Sequence, residues 1–294
     1  MPKLAQNPYF LWQPAACLRV TGEDALNFLQ GQFANDLRKL MPDQAIYGLW
    51  LNQKGKVAAD SFVLRVAEEE FRLVSYESPA AALVARLESF IIADDVTVTD
   101  ETADWSGVTI LSAVSVAETR SALGEGFVFA GRRGAEAAIE WIAPAARLHE
   151  MLPKLNLGAP LSAAEMEARR IAACIPAVPR DIGADDLPQE GGLERDAVSF
   201  TKGCYLGQEV MARLQAMGRV RRRLVPAHGS GAVPALPAAL YAGEKKAGEL
   251  RTAVNQAGGF TGLALINLMS MPADGRLALA PDGVASITVE VPHD

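Results

Sequence analysis

Runs of β-branched and aromatic residues alternate along the first half of the chain with short helical stretches that carry start signals. Residues 44–51, 57–66 and 70–76 read as three strands, with Val63, Leu64, Val66, Phe71, Leu73 and Val74 supplying the β-type enrichment. Asn52 to Lys56 is the hairpin turn between the first two. Upstream, Thr21-Gly22-Glu23-Asp24 has the form of a capping box with Asp in place of Glu, and predicts a short helix through Phe28 and Leu29 that Gln30-Gly31-Gln32 ends. Ser78-Pro79, an N-cap followed by Pro at the first helical position, opens a helix to about Phe90. Val96 and Val98 mark a strand; 107–114, 126–130 and 135–143 read as further strands and 116–123 as a helix. Strands with two helices and no Gly-rich crossovers predict an α+β, ferredoxin-like lobe over about 43–143.

The pattern changes twice more. Ser162-Ala163-Ala164-Glu165 is a full capping box before a helix ending near Ala173, and residues 174–197 then form a loop rich in Pro, Gly and Asp. Loops of that length in a compact domain are functional or mobile. From Arg219 onward, short apolar runs at 219–225, 239–242, 247–254, 260–266 and 284–291 are separated by Gly and Pro, the signature of a small all-β barrel. The expected division is therefore 1–218, a module of two interlaced α+β lobes, and 219–294, a C-terminal β-barrel.

Composition narrows the function classes. At 294 residues with 50% hydrophobic, the chain can bury a substantial core. Its net charge of −7 disfavours nucleic acid and anionic membranes as partners. No apolar run reaches the roughly 18 residues a membrane helix needs, and no secretory signal is visible, so the expected location is cytoplasmic. Cys17, Cys174 and Cys204 are sparse and lack a Cys-x-x-Cys pair, which fits a reducing compartment. His149, His228 and His293 lie far apart, so no conventional metal site is expected.

The richest chemistry lies in Lys202-Gly203-Cys204-Tyr205-Leu206-Gly207-Gln208-Glu209. It follows a β-like patch, Val198-Ser199-Phe200, and precedes a helical stretch at Val210–Leu214. A thiol at such a junction, with a cation two residues away, is favoured as a thiolate by the helix dipole and by Lys202. Gly203 and Gly207 permit close approach of a ligand and positive φ. Gln208 and Glu209 can fix a ligand's hydrogen-bonding edge. The alternative is a structural cysteine packed in a tight turn.

This stretch resembles the signature of the YgfZ-type folate-binding proteins that assist iron–sulfur cluster assembly. These share their fold with the glycine-cleavage T-protein, a tetrahydrofolate-dependent aminomethyltransferase. Phe28-Leu29-Gln30-Gly31-Gln32 with Asn35-Asp36, Lys54-Gly55-Lys56, Arg170-Ile171 with Ile175-Pro176, and Pro188-Gln189-Glu190 extend the resemblance over about 20–225. It implies a T-protein-like, multi-lobe fold. It also implies a folate-binding accessory factor for assembly or repair of clusters, rather than a classical enzyme. The partners implied are folate (tetrahydrofolate or a derivative) and iron–sulfur client enzymes or cluster-assembly proteins. Cys204 is the implied thiolate with Lys202 beside it, and Gly203, Tyr205, Gly207, Gln208 and Glu209 face the ligand. The alternative is a true tetrahydrofolate-dependent one-carbon transferase; a thiol redox protein is a third class, disfavoured by the missing Cys-x-x-Cys.

Departures and secondary sites qualify that picture. T-protein relatives carry an acidic pair near Asp60, but here the first acid is Ala59, which weakens the transferase reading while leaving Asp60 able to bind a pterin edge or simply to begin a strand. Arg213, Arg219, Arg221, Arg222 and Arg223 form a basic run suited to a folate's glutamate tail, or to tRNA, or simply to a solvated strand face. Lys54-Gly55-Lys56 lacks the first Gly and the Ser/Thr of a nucleotide P-loop and reads instead as a turn whose lysines face an anionic ligand. Cys17 and Cys174 read as packed thiols, with a Cys174–Cys204 pair left open. Trp12, Trp50, Trp105 and Trp141 read as packing residues.

Overall fold

The computed structural model describes residues 4–218 and 220–290. In chain order the elements are β1 (Tyr9–Trp12), β2 (Ala16–Thr21), α1 (Ala25–Gln32), β3 (Ala45–Leu51), β4 (Val57–Arg65), β5 (Glu70–Ser75), α2 (Ala80–Glu88), β6 (Thr97–Asp100) and β7 (Trp105–Leu111). They continue with α3 (Val116–Leu123), β8 (Phe127–Ala130), β9 (Ala138–Pro144), α4 (Ala145–Met151), α5 (Ala163–Ala172) and α6 (Gln208–Met217). The last part is all strand: β10 (Arg222–Ser230), β11 (Ala238–Ala242), β12 (Lys245–Gln256), β13 (Gly259–Asn267), β14 (Arg276–Leu277) and β15 (Ile287–Val289).

Three sheets result, ordered β3-β4-β5-β2-β6, β1-β7-β9-β8 and β11-β12-β13-β10-β15-β14. Strand alternation explains the near-continuous apolar runs of the first sheet. Leu18, Val20, Val63, Phe71 and Leu73 face α1 and α2, packing on Phe28, Leu29, Leu83 and Leu87. Their neighbours Cys17, Phe62, Leu64 and Val74 point the other way, onto Trp12, Phe129 and Ile142 of the second sheet. Both faces are buried, so apolar residues sit at successive positions. The outer face of the second sheet is covered by Leu123 of α3 and Leu148 of α4 against Val108, Ile110 and Trp141. Residues 43–143 thus feed both sheets, and β1 and β2 join one each, which interlaces the lobes. The third sheet curls until Tyr241 and Ala278 exchange backbone hydrogen bonds (2.9 Å each), nearly closing a six-stranded barrel.

Several local expectations are corrected. Thr21 ends β2 rather than capping α1, because Gly22 (φ 132°) turns so tightly that a Cβ there would lie 1.9 Å from Asp95 O. Asp24 stands at the N-cap but accepts the Asp95 N–H (2.9 Å), so no box forms. Ser78 does not cap α2; its hydroxyl serves Asp60. The Ser162 box forms as expected, and Ser115 forms another at α3. Helix α4 and strand β14 carry too few periodic residues to be visible in the sequence.

The 174–197 loop is neither loose nor unstructured. It contains two short 3-10 turns, Pro188–Gly191 and Leu193–Arg195, and buries Val178, Ile182, Leu193 and Ala197 against Leu49 and Leu51 of β3 and Leu263 and Leu265 of β13. Its buried acids hold it in place. Asp181 accepts from Arg170 (2.6 Å), Thr252 Oγ1 (2.7 Å) and the Ala177 N–H (2.9 Å). Glu190 takes both arms of Arg222 (2.9 and 2.7 Å), and the Asp186 carbonyl accepts from Val57 N–H (3.0 Å).

Candidate functional site

No strand forms at Val198–Phe200; the chain from Ser199 to Gly207 is a loop, and α6 begins at Gln208, four residues after Cys204. Two anchors shape this loop. Lys202 is 7% exposed, and its Nζ donates to the carbonyls of Gln30 (2.7 Å), Phe33 (2.6 Å) and Asn35 (2.9 Å), where α1 ends. Those carbonyls lack helical partners, so a buried ammonium satisfies three acceptors at once. Burial pulls its pKa down to about 8, partly offset by Asp36. The Lys202 cation is thus committed to the carbonyls at the end of α1. The second anchor is Gly207 (φ 86°), packed so closely on the β3–β4 turn that a Cβ would lie 2.8 Å from Asn52 O and 3.2 Å from Gly55 Cα. Gly203, by contrast, is exposed and has no positive φ, and a Cβ there would meet only Arg38 Nη1 at 4.0 Å, so no left-handed backbone requires a glycine at this position.

Between the anchors Cys204 is exposed, while Cys17 is buried and Cys174 half-buried; all three are free. Burial pushes the Cys17 thiol up to about 12 and raises that of Cys174, whose Sγ lies 3.9 Å from Leu224 O. Cys204 lines a groove of about 660 Å3 with Gly31, Gln32, Phe90, Gln208 and Glu209. Tyr205 is 7% exposed on the wall of the same groove, and its hydroxyl is buried with no hydrogen-bond partner among the described residues.

The other predicted residues lie elsewhere. Asp60, 5% exposed on β4, accepts from Tyr47 Oη (2.8 Å), Ser75 Oγ (2.9 Å) and Ser78 Oγ (2.6 Å). Burial raises its pKa despite these three donors. It faces an interior cavity of about 30 Å3 between the first two sheets and the 174–197 loop, shared with Tyr47, Tyr76, Arg132 and Arg133. Arg132 lies over the Tyr47 ring (4.4 Å) and forks onto Asp196 (3.0 and 3.2 Å). Arg133 lies over Tyr76 (3.8 Å) and Trp12 (4.4 Å), 3.3 Å from fully buried Glu140. The Arg run contributes to neither place. Arg213 and Arg221 are exposed, Arg223 is half-buried and Arg222 is spent on Glu190; Arg219 and His293 lie outside the described residues.

The predicted set is thus divided among a groove, an interior cavity, the exposed side of α6 and a strand start. Sequence reading missed Tyr47, Tyr76, Arg132, Arg133 and Arg86. The adjacent Arg132-Arg133 pair was the available signal. The chemistry of the cavity suits a pterin, with carboxylate, phenol and guanidinium at its edge and aromatic rings around it. Its volume does not, being about a tenth of the smallest usual ligand pocket. Entry of such a ligand requires these side chains to part. Among the described residues no cluster of His, Cys, Asp and Glu is arranged for a metal, and no helix is long and apolar enough to cross a membrane.

Comparison with known proteins gives a consistent picture. The GCVT N-terminal domain family matches residues 13–117, and the CAF17 C-terminal beta-barrel domain family matches 221–294. The tRNA-modifying protein YgfZ of Edwardsiella ictaluri is 28% identical over 305 residues, covering 95% of this chain and 88% of that protein. The mitochondrial iron–sulfur cluster assembly factor IBA57 of Mus musculus is also 28% identical, covering 94% and 82%. The mitochondrial IBA57 homolog of Mycosarcoma maydis, 28% identical over 76% of this chain, is longer, and only 56% of it is spanned. Aminomethyltransferase T of the glycine cleavage system from Bartonella henselae superposes with a TM-score of 0.77 over 98% of this chain and 86% of its own, at 17% identity, which establishes the shared fold.

Proposed function

We propose, from the similarity to YgfZ and IBA57 and the matches to the GCVT N-terminal and CAF17 C-terminal barrel domains, that the chain is a folate-binding accessory factor for assembling or repairing iron–sulfur clusters in client enzymes. The observation that carries the reading is the setting of Cys204. It is an exposed thiol on a groove wall, in a loop held by Lys202 and Gly207, while the other two thiols are withdrawn. Cys204 exchanges with a sulfur or iron species. Gln208 and Glu209, in the first turn of α6, orient what enters the groove.

The folate is assigned to the interior cavity, with Asp60 and Tyr47 on its polar edge and Arg132 and Arg133 beside the rings. The one-carbon transferase reading is weaker. Ala59 replaces an acid, and both oxygens of Asp60 are occupied by hydroxyl donors. A net charge of −7 and three free thiols support protein clients in a reducing, cytoplasmic setting rather than direct nucleic-acid binding. The test is to restore the wild-type protein or Cys204→Ser to cells lacking it and measure a panel of iron–sulfur enzymes. The wild type restores their activity and Cys204→Ser does not; equal rescue overturns the thiolate role. Reduced folate should bind both proteins with micromolar affinity, about −8 kcal/mol; a flat calorimetric titration removes the folate site.

A further inference from the structure

The Cys204 groove does not end at the 204–210 loop. It shares Gln53, Phe90 and Leu206 with a trough of about 630 Å3 along the β3–β4 turn. Three cations line that trough: Lys54, Lys56 and Arg86. Arg86 donates to Leu51 O (2.8 Å) and Gln32 Oε1 (3.2 Å) and lies over the Trp50 and Phe90 rings (5.5 and 5.4 Å). Lys56 Nζ donates to the Asp185 carbonyl (3.0 Å). Among the described residues none of the three is paired with a carboxylate, although the protein is acidic overall and most of its other arginines are paired. Burial lowers the pKa of Arg86 to about 10, and no acidic neighbour counters it. A part-desolvated cation without a counter-charge favours an anion beside it. At the other end of the same hollow stands the exposed thiol of Cys204. The acids on the walls are Asp185 and Glu209, both exposed.

We propose that groove and trough are one site, and that it takes a small anionic thiol compound as its disulfide, with a carboxylate or phosphate on Lys54, Lys56 and Arg86 and a sulfur at Cys204. This rests on the reading of Cys204 as a reactive thiol and adds its ligand class. The Cys204 thiolate attacks one sulfur of the ligand disulfide. The Sγ–S bond forms, the ligand's S–S bond breaks, and the other half leaves as a thiolate that takes a proton from water. Cys204 is oxidised and the departing thiol is reduced, so the electrons balance. Neither Cys17 nor Cys174 lines the hollow, so the mixed disulfide persists until an external thiol reverses it.

The test compares rates of Cys204 modification, followed by intact mass, for the wild type, a Lys54→Gln/Lys56→Gln variant and Arg86→Gln. Neutral dithiodipyridine reacts at the same rate with all three, which also reports an intact loop. Dianionic dithiobisnitrobenzoate reacts with the lysine variant about tenfold more slowly at low ionic strength, and salt removes the difference. Glutathione disulfide and coenzyme A disulfide then separate carboxylate from phosphate: the one whose rate depends on the lysines names the group. An anionic-to-neutral rate ratio unchanged in both variants overturns the joint site while leaving Cys204 reactive. Failure of dithiodipyridine to modify wild-type Cys204 overturns the reactive-thiol reading and this proposal with it.

Discussion

Replacing Lys202 with Met tests whether this residue is a clamp rather than a tuner of the thiol. Met keeps the stem and removes the ammonium, leaving the carbonyls of Gln30, Phe33 and Asn35 without their donor. An unsatisfied buried acceptor costs about 1–3 kcal/mol, so three amount to roughly 3–9 kcal/mol before relaxation. The variant regains the desolvation cost that lowers the Lys202 pKa, and the loop can admit water, so about 3 kcal/mol is the expected net loss. For 294 residues unfolding together the entropy is about 0.6 kcal/mol/K, and the melting temperature falls by about 5 °C. Linkage adds a second signature. The folded pKa of about 8 lies below the model-peptide value of 10.5, so the unfolded chain holds more protons between them, and wild-type stability rises with pH across that window. Met has nothing to titrate there, so its deficit widens from pH 8 upward. Calorimetry at pH 7 and above measures both effects. A melting temperature within about 1 °C of wild type at every pH refutes the clamp.

At neutral pH an alkylating agent should label Cys204 first, with Cys174 slower and Cys17 last, since both are raised by burial; peptide mass mapping over time reads the order. Asp60→Asn removes a carboxylate whose pKa burial has raised. The wild type regains that cost when the folded group protonates, so the variant's stability relative to wild type is greatest at neutral pH and declines as pH falls through the carboxylate range; a denaturant series at several pH values checks the sign. Gly207→Ala forces a left-handed φ and a 2.8 Å approach to Asn52 O, and should cost about 1–3 kcal/mol, read as a shifted denaturation midpoint.

Much of the layer structure was legible because strand periodicity and capping boxes are local. Val63 and Phe62 face opposite cores, and the run that contains them reads as strand whichever face is considered. The Ser162 box works because its partners are three residues apart. The site was less legible because it is assembled across sequence. Lys202 reads as a partner of Cys204 because the two are close in sequence, but its hydrogen-bond partners lie about 170 residues upstream. The Arg run looked like a tail-binding cluster, yet Arg222 is answered by Glu190, a residue that only folding brings near. Arg86 shows no special pattern in the helical run 80–88 and acquires meaning only from what is missing beside it.

The span between Lys202 and the end of α1 has a consequence for synthesis. The closing contact joins residues 172 positions apart, and such contacts form late because their loop-closure entropy is paid before any reward. Chains emerge N-terminus first and fold in units as they do so. The strands β2 to β6, the hairpin turn and the carbonyl socket are therefore available before Cys204 leaves the ribosome. The thiol arrives after the socket that holds its loop has been synthesised, and no excised fragment ending near residue 117, where the first matched domain stops, contains both halves of the groove.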